Sequence, residues 1–567
     1  MPAPGRCYRY FPAALEGKTL EHLLVGRQEL LESLFDETDR ASASKTPRFF
    51  LLVGPRGAGK SHLMSLLCRR IRDELSGRVI PVHLAGEEYS IFRASDFFLR
   101  VLAGMGVETG DVTALEDDLL VREAAVERIT ASAGERQVVV FVENIHEVFS
   151  QMDRPEVRAL RSVFQRADNL SVIASAPSLF PGVLDHEEPF YNFFRVFHLR
   201  ELDCAESKEF MQRVAEVDGN TAFIKNFGDY EPGIEALWHL IGGNPGLVVR
   251  LYEILSQCGA GEVAEAFFRL ADEQTPYYQE VFRRLPGQRR LILDTILTAE
   301  TPLTPKDVAQ HARLNLATVN VQLRRLEAEG YVVSRPMKKR TIYEARDRLF
   351  ALWRAMRKPA GRDRVFALIG FLEVWHEHPV AVDTTYRGVP GVMEGVALPD
   401  RVAAGRREDA LAALQEAGGQ LHDPDRLARF VQLALDLARE ELLAGNRANG
   451  LSLIRAAYAH AGRLDPATAR RMTAGFLKRL AGAGQVSTVG SAVREIVLSG
   501  GAGYEGFLKP VTDAVAIVET KDTRLYYTRL QPEERAIVAG IVRAITGSEE
   551  LGVQGSRGYP PGTIRSL

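Results

Sequence analysis

Two regimes of apolar patterning divide the chain. Up to about residue 200, short uninterrupted apolar runs are separated by segments of helical period; beyond it the helical period dominates. Four runs mark the first regime: Phe49 to Val53, Val79 to Leu84, Val138 to Val142 and Leu170 to Ser175. Each reads as a strand. Val138 to Val142, apolar at five consecutive positions, predicts a strand covered on both faces, as in a parallel sheet. The stretch 104–120 is glycine-rich and acidic and predicts an exposed loop.

In the second regime, helices are predicted at Ala205 to Val217, at Ile234 to Ile241, and from Gly242-Gly243-Asn244-Pro245-Gly246-Leu247 to Leu255. Thr304-Pro305 is a helix start with a capping threonine and a proline at the first helical position. Val308, Ala309 and Ala312 continue it, and Arg313-Leu314-Asn315 turns the chain into a second helix, Ala317 to Glu329. Val319, Leu323 and Leu326 share one face of that helix, and Gly330 closes it. Tyr331 to Val333 and Thr341 to Tyr343 then predict a hairpin around Pro336 to Lys339. Helix, turn, helix and hairpin make a winged helix.

From about 363, helices are predicted at 364–377, 407–417, 424–443, 448–461, 466–483, 487–499, 504–518 and 531–546. Their pairing predicts a repeat-like, solenoid-type array without a clear period. His376 and His378 lie two apart, on different sides of a helix, which is a weak metal signal. The stretch 552–567 is predicted to be flexible. The expected organisation is a lead (1–20), an α/β core with a parallel sheet (21–202), a helical lid (203–285), a winged helix (286–358), an α-helical repeat-like domain (359–550) and a tail (551–567).

Composition narrows the class. At 567 residues, with 46% hydrophobic and 26% charged residues, the chain is ordinary globular material with room for several cores. A net charge of -3 excludes a globally polybasic nucleic-acid binder and leaves a local basic patch open. Cys7, Cys68, Cys204 and Cys258 are scattered with no CxxC pair, which fits a reducing cytoplasm. No apolar run approaches the ~18 residues needed to span a membrane, and the start leads into no long apolar segment of a secretory signal. A cytoplasmic protein with no membrane partner is expected.

The chemistry begins at Gly54-Pro55-Arg56-Gly57-Ala58-Gly59-Lys60-Ser61, GxxxxGK[ST] between a buried strand and a helix opening at His62. The glycines let successive N–H groups curl around an anion, and the helix N-terminus adds partial positive charge there. Lys60 is placed to reach the β- and γ-phosphates and Ser61 to hold Mg²⁺, so a nucleoside triphosphate is the expected ligand. Glu143 ends the run Val138 to Val142, at the end of a parallel strand where ligands bind.

The order Val25-Gly26-Arg27, Walker A, strand-ending carboxylate, a strand ending at Ser175, helical lid opening at Gly242-Gly243-Asn244-Pro245, and winged helix resembles the AAA+ ATPases related to origin-recognition initiators. It is also similar to the STAND-type regulators, and it covers about residues 21–358. The resemblance implies that the Arg27 segment packs beside the adenine of ATP, that Gly54 through His62 surround the phosphates, and that Ser61 and Glu143 hold Mg²⁺. It further implies Ser175 as a sensor of the γ-phosphate, a last core strand near Phe193 to Leu199, and Arg195 as a finger facing a neighbouring subunit. Two positions depart from the pattern. Asn144 stands where the water-polarising glutamate is usual, and an amide is no general base. Glu147, one turn later, is the substitute. Gly246 replaces an arginine often found beside the lid helix, with Arg250 one turn on.

Basic residues outnumber acidic ones between 335 and 364, which makes the winged helix a candidate for double-stranded DNA. Gln322, Arg324 and Arg325 on the second helix, and Lys338, Lys339 and Arg340 on the wing, are the candidate contacts. The expected function is an ATP-binding switch with slow hydrolysis, coupling nucleotide state to DNA binding and to nucleotide-dependent homo-oligomerisation. The alternative is a STAND-like scaffold whose C-terminal helices bind a protein or ligand without DNA. A processive motor is disfavoured by Asn144.

Overall fold

Five parallel strands form the central sheet in the order β2-β3-β4-β1-β5: β1 (Phe49–Val53), β2 (Val79–Leu84), β3 (Gln137–Val142), β4 (Leu170–Ala176) and β5 (Arg195–His198). The computed structural model describes residues 15–84, 90–184, 186–259, 263–337, 340–376 and 424–547. Lys338, Lys339, His378, the expected helix at 407–417 and the tail from 551 lie outside the described residues.

The consecutive apolar runs divide between the two faces of the sheet, as the pleat requires. Leu51, Val53, Val138, Val140, Val172 and Ala174 pack into one layer, and Phe50, Leu52, Val139, Phe141 and Ile173 into the other. β5 is an edge strand with half its residues exposed. The stretch 104–120 differs from expectation: the short helix Gly110–Thr113 and the start of Asp118–Ala133 occupy part of it, with the Asp117 side chain capping the latter.

Beyond the sheet the lid helices begin with Cys204–Val217, capped by Asp203 with Glu206 reaching back to complete a capping box. Phe227–Ile241 and Pro245–Cys258 follow. The winged helix consists of Gly287–Leu297, Pro305–Ala312 and Leu316–Ala328, with β6 (Val332–Met337) and β7 (Arg340–Ala345) antiparallel and Leu303 bridged to Tyr343. Asn315 caps the recognition helix Leu316–Ala328 through the N–H of Thr318.

The C-terminal helices run from Pro424–Leu443 to Pro532–Thr546. The lid, the winged helix and these helices share one continuous apolar core, in which Tyr278 stacks on Phe350 with ring centroids 4.4 Å apart.

Candidate functional site

Each residue of the Gly54–Ser61 loop is placed by the end of β1 and the start of the helix Lys60–Glu74. Gly57 and Gly59 take φ of 81° and 82°, the left-handed region that costs a side-chain-bearing residue about 1–2 kcal/mol. A side chain would also press on its neighbours. A Cβ on Gly57 would lie 2.6 Å from Asn244 Oδ1, and one on Gly59 would lie 2.4 Å from the Arg27 guanidinium.

Lys60 is buried inside the loop, its Nζ donating to the carbonyls of Gly54 (2.6 Å) and Pro55 (3.1 Å). Burial first, then the neighbouring charges of Arg27 and Arg56, lower its pKa to about 8 against the opposing pull of Glu143. Arg27, 7% exposed, is likewise held down to about 10 by burial and by Arg200, and donates to the Arg200 carbonyl at 3.3 Å. Lys60, Arg27 and Arg56 thus bring positive charge to a loop of backbone amides beside the Glu143 carboxylate. The arrangement fits a polyanion.

Ser61 Oγ donates to Glu143 Oε2 at 2.5 Å, and His83 Nε2 lies 3.2 Å from Glu143 Oε1. Burial pushes the Glu143 carboxyl up, but His83, Ser61 and the Lys60 charge outweigh it and hold the group below its usual range. A hydroxyl and a half-buried carboxylate converging at a phosphate loop form a hard-oxygen donor set suited to Mg²⁺.

The turn after β3 explains one departure from the expected pattern. Asn144 has φ 51° and ψ 47°, a left-handed conformation that asparagine tolerates better than glutamate. Its N–H donates to Ser175 Oγ at 3.1 Å, tying the end of β4 to the Glu143 turn. Glu147 sits on the first turn of Ile145–Gln151, part-exposed, its pKa raised by burial. Neighbouring His146 is lowered to about 4 by burial and so is neutral at pH 7.

The other sequence-predicted residues divide. His62 points away from the loop: its Nε2 donates to the Leu20 carbonyl at 2.9 Å, and burial lowers it to about 4. Arg195 forms an ion pair with Glu37 of its own chain and lies 5.0 Å over the Phe197 ring, with half its side chain exposed. Arg250 pairs with Glu273 at 3.8 Å. Gly246 has a steric reason to be glycine, since a Cβ there would sit 2.9 Å from Gly57 Cα.

Sequence reasoning missed the direct contact of lid and loop. Gly246 N–H donates to the Gly57 carbonyl at 3.0 Å, and Asn244 Nδ2 donates to the Arg56 carbonyl at 2.9 Å. His83 was also missed, although a histidine inside an apolar strand beside the Glu143 strand was the available signal.

On the winged helix, Arg324 and Arg325 are exposed, Gln322 is half-buried and Arg340 is exposed at the start of β7. Leu316 and Val321 on the same helix are 47% and 48% exposed. Most of the basic run 335–364 serves packing. Arg335 pairs with Glu344 at 2.6 Å, Arg354 with Asp294, and Arg364 with Glu533 at 3.7 Å. Arg357 lies 3.7 Å over the Trp353 ring. These charges were counted toward a phosphate-binding surface, and they face carboxylates and rings instead. Gly330, at the end of the recognition helix, lies against Ser178 just beyond β4. No helix among the described residues is long and apolar enough to cross a membrane.

Residues 23–173 match the family model of the AAA ATPase domain, and residues 287–333 that of the winged helix-turn-helix DNA-binding domain. Similar solved structures include a Walker-type ATPase of Pyrococcus abyssi, at 17% identity and TM-score 0.44, covering 60% of this chain and 99% of that one. The Aeropyrum pernix ORC2 protein, in ADPNP–ADP complexes, matches at 13% identity and TM-score 0.44, covering 62% and 94%. The Aeropyrum pernix ORC1 protein in complex with DNA matches at 16% identity and TM-score 0.36, covering 62% and 97%. The chain thus joins an AAA ATPase domain, built on a five-stranded parallel sheet, to a winged helix-turn-helix and a helical C-terminal region.

Proposed function

We propose that the chain is an ATP-dependent switch in which nucleotide bound at the Gly54–Ser61 loop sets the position of the lid, and through it of a DNA-binding winged helix. The observation that carries the reading is the convergence of Lys60, Ser61 and Glu143 beneath a lid turn hydrogen-bonded to the same loop.

The loop amides and Lys60 bind the phosphates, and Arg27, buried against Gly59, adds charge at their edge. Ser61 and Glu143 would hold Mg²⁺, which would offset the negative charge of the phosphates. Ser175, through the Asn144 N–H, links β4 to the Glu143 turn and serves as the sensor. Water attacks the terminal phosphorus slowly, because position 144 offers an amide and Glu147, on the next helical turn, takes the proton in its place. A long-lived ATP state suits a switch.

Arg324, Arg325 and Arg340 contact duplex phosphates, with Gln322, Lys338 and Lys339 as further candidate contacts. Assembly into nucleotide-dependent homo-oligomers and a cytoplasmic setting belong to the same reading, with Arg195 released from Glu37 to face a neighbour. Substituting Arg324 and Arg325 together by alanine is expected to weaken duplex binding and flatten its salt dependence by about two phosphate contacts, leaving ATP affinity unchanged. An unchanged salt slope would remove the recognition helix from the DNA surface.

A second reading has one observation in its favour. Leu316 and Val321 place exposed apolar surface on the recognition helix, which suits a protein partner in a STAND-like scaffold. Nucleotide-dependent assembly with no duplex binding at low salt would select it.

A further inference from the structure

A buried arginine, Arg348, touches the lid turn and lies close to the C-terminal helices. The lid turn touches the phosphate loop on one side through Gly246 and Asn244. On its other side it is locked to the segment that leaves the sheet. Leu202 N–H donates to the Gly243 carbonyl at 2.9 Å, and Trp238 Nε1 donates to the Leu202 carbonyl at 3.2 Å. A Cβ on Gly243 would fall 1.7 Å from the Leu202 carbonyl oxygen, so the two strands of backbone are in direct contact. Glu201, next in the chain, lies against Gly242.

Arg348 receives this assembly from the winged-helix side. It is 9% exposed and opens the helix Arg348–Ala355 immediately after the wing strand β7. Its guanidinium pairs with Glu201 at 3.8 Å, donates to the His239 carbonyl at 3.4 Å and lies 5.9 Å over the Trp238 ring. Its charge also acts on Glu533, buried at the start of the last helix Pro532–Thr546, which in turn pairs with Arg364. That last helix grips the wing independently. Arg535 pairs with Glu344 of β7 at 2.6 Å, and Glu344 is held from the other side by Arg335 of β6.

We propose that Arg348 is the residue through which the phosphate loop and the C-terminal helices sense each other's state. Displacing the Gly57–Gly246 contact moves the lid turn. The turn cannot slide on Leu202, so Glu201 moves with it, and the Glu201–Arg348 pair passes the shift to the wing and the last helix. The proposal rests on the loop being the nucleotide site, and its test separates the two claims.

Hydrogen exchange of the full chain is followed with and without a non-hydrolysable ATP analogue and Mg²⁺, for the native protein and for Arg348→Met and Glu201→Gln. In the native protein, protection is expected both at 54–63 and at 332–345 and 532–546. In both variants the protection at 54–63 persists and the response of the distant segments is lost. Glu201 is 42% exposed at its side chain, so Glu201→Gln keeps the fold even where Arg348→Met does not. Distant responses that survive in Glu201→Gln, or that are absent from a native protein protected at the loop, overturn the proposal. No protection at the loop in the native protein overturns the nucleotide-site reading instead.

Discussion

Replacing Gly59 by alanine tests the geometry of the phosphate loop through two separable costs. The first is conformational: at φ 82° an alanine pays about 1–2 kcal/mol for the left-handed region. The second is steric, because the new Cβ would meet Arg27 Nη1 at 2.4 Å, and the end of that side chain must shift aside. A shift large enough to break the 3.3 Å bond from Arg27 Nη2 to the Arg200 carbonyl costs a hydrogen bond made by a charged group, worth about 1.5–3 kcal/mol. Together they amount to roughly 2.5–5 kcal/mol, a loss of ATP affinity between about 50-fold and several thousand-fold. In an Arg27→Ala background only the first cost remains, and Gly59→Ala should weaken binding just about 5- to 30-fold. Titration of a fluorescent ATP analogue into the four proteins measures both factors. If Gly59→Ala costs the same in both backgrounds, to within about 0.5 kcal/mol, the two residues are independent and the packing of Arg27 on the loop is wrong.

Three further outcomes are expected. Ser61→Ala should weaken ATP binding about 10- to 150-fold when Mg²⁺ is present and leave it unchanged in EDTA; equal losses in both would exclude Ser61 from the metal. Glu147→Gln should lower hydrolysis at least about 100-fold, whereas Asn144→Glu should cost about 1 kcal/mol of strain and keep turnover below about 1 s⁻¹. A phosphate-release assay in which Glu147→Gln turns over normally rejects it as the base. Asp347, which caps Arg348–Ala355 and accepts from Tyr278 at 3.2 Å, has its carboxyl raised by burial to about 6 from 3.8. Its stabilising contribution is full below the lower value and is lost as pH rises through about 6. Asp347→Asn should therefore be more stable than the native protein at pH 7.5, by up to about 3 kcal/mol, with the advantage vanishing below about pH 4. Urea midpoints followed by tryptophan fluorescence read this region directly, since Trp353 and Trp375 lie in the shared core. A pH-independent difference would refute the assignment.

β1, β3 and β4 were legible because near-complete burial leaves apolar runs, and β2 was legible despite the part-buried Pro81 and His83; all four fell where the runs placed them. The loop was legible because glycine spacing, lysine and serine must be contiguous to do their chemistry. Glu143 was legible from its place at a strand end. What could not be read was long-range. Asn244 and Gly246 meet the loop almost two hundred residues away in sequence, and nothing local to either announces the contact. The arginines of 335–364 look alike in sequence. Only the fold gives Arg335, Arg354 and Arg364 to carboxylates on other elements and leaves Arg324, Arg325 and Arg340 to solvent. Asn144 was read as the loss of a base, and the structure adds that the backbone there is left-handed. The single apolar core joining lid, winged helix and C-terminal helices was hidden for the same reason, because an amphipathic helix does not state which neighbour covers its face.

The claim at the centre of this account is that nucleotide state controls DNA binding. Its most direct measurement is the dissociation constant of a labelled duplex, at two salt concentrations, with the protein saturated first by ADP and then by a non-hydrolysable ATP analogue. The account predicts salt-dependent binding whose affinity differs between the two nucleotides by at least about fivefold, with the difference abolished in Lys60→Ala. Equal affinities in the two states, or no duplex binding at low salt, would contradict it.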